Sequence, residues 1–211
     1  MAVDGYDAAR PRPVSLGYVL EADTGQATWI SAGDAGQPGV GPLLTGEPVR
    51  LDDRLPALGG EPLTSGPARI TSTVDAPTAD VVSRSDAASV QEVRVRIRVP
   101  AGAFMLDVFA DTATHEVIGA TADGATLPGG QNVPEQVAPG WRWGFRYAAP
   151  SGDGVDLTVR LKGSGPPRIR VVTTGVGLPS DAGAPELAAN LSWTPWPILP
   201  SVTYVVRTFT I

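Results

Sequence analysis

The sequence predicts an all-β chain, an antiparallel β-sandwich of jelly-roll-like or Ig-like type with long Gly/Pro-rich loops. Three observations predict it. Short runs alternate in polarity with a period of two, as a strand with one buried face requires. Gly 25 and Pro 21 in 211 residues separate those runs. Asp-Gly and Gly-Ser-Gly steps, which tolerate the positive φ of tight turns, fall between neighbouring runs.

Along the chain, Leu16–Leu20 and Thr28–Ser31 flank Asp23-Thr24-Gly25 and read as a hairpin. The stretch 32–67 is so rich in Gly and Pro that its strands are poorly defined; it reads as a surface excursion or a linker. Val93, Val95, Ile97 and Val99 then face one way while Arg94, Arg96 and Arg98 face the other. Phe104–Ala110 is a further strand, and Asp123-Gly124 joins Val117–Thr121 to Ala125–Leu127. Trp141, Trp143, Phe145 and Tyr147 share one face of the next run, a pattern of core more than of a binding platform. Val155, Leu157, Val159 and Leu161 alternate with Asp156, Thr158, Arg160 and Lys162, and Gly163-Ser164-Gly165 is expected to close a hairpin onto Ile169–Thr173. Pro185–Leu191 is the one plausible helical turn, and Val202–Ile211 the closing strand. Residues 1–211 are expected to make a single sandwich domain.

Composition narrows the function. The 16 basic and 22 acidic residues give a net charge of −6 and a pI near 4.7, which opposes nucleic-acid binding, since phosphates are held by cationic side chains. There is no cysteine and a single histidine, His115. A zinc site draws three or four ligands from His, Cys and carboxylates, and a nucleophile usually needs a neighbouring base. His115-Glu116 opens like a zincin helix motif, but Gly119 stands where the second histidine belongs, in a stretch that reads as strand or turn. His115 is expected to be a surface loop residue. Gly163-Ser164-Gly165 lacks the spacing of a nucleophile elbow. Ser151, Asp153 and Asp156 make an acidic loop with too few oxygens for a strong calcium site. Neither a catalytic nor a metal-binding residue is therefore assigned, and no cofactor is expected in this chain.

Two features remain as possible interaction surfaces. Arg94, Arg96 and Arg98 make a basic ridge that suits an acidic partner or anionic headgroup. The simpler reading, which we prefer, is a solvated face paired with carboxylates on the next strand. Trp193 and Trp196 lie in Trp193-Thr194-Pro195-Trp196-Pro197-Ile198-Leu199-Pro200, whose prolines remove ladder donors and favour an extended loop. Aromatics on such a loop would stack on sugar rings, grip another domain or sit at a membrane interface; alternatively the loop folds back to cap the sandwich.

Several stretches resemble a known family when read in order. They are Pro11–Gly25 with Ala27–Ser31, Gly144–Pro150 with Gly154–Val159, Pro167–Val172, Gly177–Pro179 and Val206–Ile211. Together they resemble the C-terminal β-rich region of multi-pass membrane zinc aminopeptidases, similar to endoplasmic reticulum metallopeptidase and the vacuolar membrane proteases. In that family a zinc peptidase domain comes first, transmembrane helices follow, and the β-rich domain lies on the extracytoplasmic face. The resemblance implies an accessory role in packing on or gating the catalytic domain. It places zinc only in that other domain, and makes the catalytic and transmembrane regions of the same polypeptide the partners. No stretch here approaches the roughly 18 apolar residues of a membrane span. The Met-Ala-Val-Asp start is not a secretory signal, so an upstream tether is expected and Met1 would open a piece of a longer chain. The alternative is a free-standing β-sandwich binding carbohydrate, peptide or another cell-envelope component, motivated by Trp193 and Trp196.

Overall fold

The computed structural model describes residues 7–32, 37–51, 54–58, 62–87, 89–134, 138–193 and 201–211. Among them run β1 (Arg12–Val14), β2 (Gly17–Glu21), β3 (Gln26–Ser31), β4 (Thr64–Pro67), β5 (Thr78–Ala87), β6 (Val90–Arg98) and β7 (Ala103–Ala110). They continue with β8 (His115–Ala122), β9 (Ala125–Leu127), β10 (Trp143–Ala148), β11 (Val155–Gly163), β12 (Arg168–Val176), β13 (Leu191–Trp193) and β14 (Val202–Thr210). No α-helix occurs among the described residues. The chain divides into two compact units. Met1–Arg50, Pro62–Val74 and Val176–Tyr204 form the first; Leu51–Glu61, Asp75–Gly175 and Val205–Ile211 form the second.

In the first unit, β2 and β3 make the expected hairpin, pairing from Gly17↔Ile30 to Glu21↔Gln26. Glu21 O closes its turn by accepting from the amides of Thr24 and Gly25, with Gly25 at φ +68. β4 adds antiparallel to β3, and β1 pairs in parallel with β13. Tyr18 and Trp29, both buried, meet edge to face at 5.3 Å. The Tyr18 hydroxyl donates to Arg69 O at 2.9 Å and accepts from Thr71 N at 3.1 Å, so this buried phenol is satisfied at both ends.

The described residues of the Gly/Pro-rich stretch 32–67 include a set of buried apolar side chains. Val40, Leu44, Leu51, Leu55 and Leu63 are all buried. 3-10 turns at Gly41–Leu43 and Pro56–Leu58 accommodate Pro42 and Pro56, and β4 ends the stretch. Pro185–Leu191 forms no helical turn. Leu191 instead begins β13, and Leu187 and Leu191 both lie against Gly39, so tertiary packing overrides local helical preference.

The second unit is a β-sandwich. One sheet has the order β5-β6-β11-β8-β9; opposite it, β7 lies between β10 and β12. The interior is filled from both sides: Val93, Val95 and Ile97 of β6, Leu157, Val159 and Leu161 of β11, Leu106 and Val108 of β7, Trp143 of β10, and Ile169 and Val171 of β12. The alternation in the sequence thus becomes core and solvent faces. The link through Gly163-Ser164-Gly165 is not the expected hairpin, because β11 pairs with β6 and β8 while β12 pairs with β7. Pro166 and Pro167 follow that turn and supply no amide for a tight return ladder. The chain therefore crosses to the other sheet.

Candidate functional site

The outer face of the five-stranded sheet collects the polar halves of its alternating strands. The arginine row of β6 lies here, and each member has a partner. Arg94 and Arg96 reach the Asp156 carboxylate at 3.3 and 2.8 Å, and Arg98 pairs with Asp80. Arg96 also donates to Asp153 O at 3.0 Å. The Arg96 guanidinium, aided by Arg94, holds the Asp156 carboxyl below its ordinary range. Oxygens of the acidic 151–156 loop are thus taken up by guanidinium groups. No group of three or more His, Cys, Asp or Glu able to hold a metal occurs among the described residues.

Beside this row lies a groove of about 350 Å³ over β8, β9 and β11. The bulge between Arg160 and Leu161 on β11 leaves Ile118 of β8 as an extra residue, turned to solvent and more than a third exposed. Next to it, Gly119 contributes no side chain, and a Cβ there would meet nothing within 4 Å. Gly129 lies so close to the Ile118 backbone that a Cβ would come within 2.5 Å, and Gly130 N donates to Val117 O at 2.7 Å. The groove is thus deep where Gly119 leaves it open and walled where the chain folds back at 129–130. Its two ionic residues, Arg160 and Glu92, lie 3.8 Å apart.

Register places a line of hydrogen-bonding side chains across the sheet. Ser83 pairs with Arg94, Arg94 with Thr158, Thr158 with Thr121 and Thr121 with Thr126. Leu157, Val159, Ala120 and Ala122 beside these threonines are buried, so the hydroxyls stand on the outer face. Sequence reading did not single out this row, because alternation shows which face a residue takes but not which residues of other strands lie level with it.

His115 is corrected by the structure. It opens β8 and is only 3% exposed. Its Nε2 lies 3.2 Å from Gly165 O and its Nδ1 2.8 Å from the Thr114 hydroxyl. Gly163 makes room for the ring, since a Cβ there would come 2.7 Å from it. The imidazole is a satisfied structural link between β8 and the crossover. Two buried carboxylates are likewise committed. Asp107 receives Arg146 in a two-pronged pair at 2.7 and 3.2 Å; burial pushes its carboxyl up and Arg146 pulls it partly back. Asp111 is bound by Arg168 and accepts from Ala113 N at 3.0 Å. Trp141 precedes β10 and does not share the face of Trp143. Arg170 and Arg168 lie over its ring at 4.3 and 5.7 Å.

In the first unit, Asp181 is wrapped by the 71–73 loop. Its carboxylate accepts from the Thr71 hydroxyl, the Ser72 amide at 3.0 Å, the Thr73 hydroxyl at 3.0 Å and the Ser72 hydroxyl at 3.2 Å. These donors, the Thr71 hydroxyl foremost, lower its pKa to about 2. A depressed carboxylate stabilises the fold in full above the unfolded value, near 4, and the gain is lost as pH falls towards 2. Between pH 4 and 2 the melting temperature of the parent is therefore expected to fall more steeply than that of Asp181→Asn. Parallel curves would contradict this.

Trp196 and the 194–200 stretch, with the side chain of Trp193, lie outside the described residues. No helix among the described residues is long and apolar enough to cross a membrane. No family model, curated protein or solved structure matches this chain.

Proposed function

We propose that this chain is a non-catalytic, extracytoplasmic accessory domain of a membrane-bound zinc-dependent aminopeptidase, packing on or gating the catalytic domain. The observation that carries this reading is where the resembling stretches fall. Pro11–Gly25 with Ala27–Ser31 covers β1, β2 and most of β3, Gly144–Pro150 covers most of β10, Gly154–Val159 opens β11, Pro167–Val172 opens β12, Gly177–Pro179 follows β12, and Val206–Ile211 ends β14. The resembling stretches thus touch β1 to β3, β10 to β12 and β14, in both units, and are not one short motif. The commitment of Asp107, Asp111 and His115 to internal partners agrees with a structural role for the ionisable groups that are buried. Under this reading zinc belongs to the catalytic domain, and the partners are the catalytic and transmembrane regions of the same polypeptide. The purified chain supplied with zinc is expected to leave aminoacyl and peptide substrates intact. Hydrolysis that follows the chain through purification would overturn the non-catalytic assignment.

A further inference from the structure

From the groove beside Gly119 we infer a binding site for an extended neutral polysaccharide, lying across the strands of the five-stranded sheet. The inference does not rest on the peptidase reading, and either can fail without the other.

Three features select this ligand class. First, the groove carries no net charge: Arg160 and Glu92 are its ionic pair, 3.8 Å apart. An anionic ligand would have to compete with Glu92, and a cationic one with Arg160. Second, Thr158, Thr121 and Thr126 offer hydroxyls at successive strands along one line. Strand spacing sets these at intervals of about 4.8 Å, close to the length of one sugar residue in an extended chain. Each hydroxyl both donates and accepts, which suits a ligand made of hydroxyls. Third, the exposed side chain of Ile118 gives an apolar surface beside the row for the C–H face of a sugar ring. The line continues through Arg94 to Ser83, so a longer chain finds donors beyond the groove itself.

A bland alternative is that the threonines are simply good strand formers on a solvated face. The bulge at Ile118 accounts for a glycine beside it, but not for the open depression there, since a Cβ at Gly119 would meet nothing within 4 Å. A ligand chain crossing at that point supplies the reason.

The test is affinity electrophoresis of the purified chain in native gels containing dextran, mannan or xylan, with polygalacturonate as the anionic comparison. The parent is expected to be retarded by at least one neutral polymer. Gly119→Val, whose side chain projects into the open groove, is expected to abolish retardation with no fall in melting temperature. Thr121→Val, which keeps the shape and removes one hydroxyl, is expected to weaken binding about 10-fold. The site is overturned if no neutral polymer retards the parent, if only polygalacturonate does, or if Gly119→Val is retarded as strongly as the parent. Should Gly119→Val fold poorly, Thr121→Val combined with Thr126→Val decides in its place. Unchanged retardation of that folded double variant overturns the proposal.

Discussion

Trp143→Ala is expected to lower stability by about 3–5 kcal/mol, the range for deleting a large aromatic from a core. The side chain is 1% exposed and sits in a cluster filled from both sheets of the second unit. Three losses combine. The indole vacates the space between β10 and the facing sheet. Its edge-to-face contact with Phe145, at 5.9 Å, disappears. The Pro128 carbonyl loses the indole N–H that reaches it at 2.8 Å. Trp143→Phe keeps much of the volume and loses the N–H, so its cost should be clearly smaller. Urea unfolding of the three proteins checks the order; equal midpoints for parent and Trp143→Ala would contradict the packing described here.

Gly154→Ala is expected to cost about 3 kcal/mol, for a reason unrelated to buried area. Gly154 lies at φ +87, where a residue with a Cβ costs about 1–2 kcal/mol. An added Cβ would also come 2.2 Å from the carbonyl oxygen of Ile97, backbone that belongs to β6. The start of β11 must therefore move away from its partner strand, although Val155↔Ile97 is the first pair of that ladder. At about 2–4 °C per kcal/mol for a chain of this length, the melting temperature should fall by about 6–12 °C. A control comes from Gly124→Ala, in a turn with nothing within 4 Å, which carries only the strain of φ +81 and should cost less. Equal effects at both positions would show that the clash with Ile97 is absent.

How far these features were legible varies with the range of the interaction. The β8–β9 turn was legible because its signal is local: Asp123 and Gly124 both adopt positive φ, at 48 and 81, as a tight hairpin turn requires. β6, β10 and β11 were legible because each has one core face. β5 was not. The register shift between Val81 and Ser83 breaks its period of two, and nearly every residue along it is exposed, so no alternation survives to be read. The crossover after Gly163 was missed because a turn signal gives a change of direction without saying which sheet receives the next strand. His115 was misplaced because its Gly165 partner is 50 residues away. The hydroxyl line on β11, β8 and β9 is likewise a product of register, and sequence spacing alone could not align Thr158 with Thr121 and Thr126.

The accessory-domain reading meets its most direct test in the size and location of the native product. An antibody raised against this chain, used on fractionated source cells, is expected to detect a membrane-bound band far larger than 21.8 kDa. Such a band would contain the peptidase and transmembrane regions that the resemblance implies. A soluble band near 21.8 kDa, with no larger precursor, would contradict the reading.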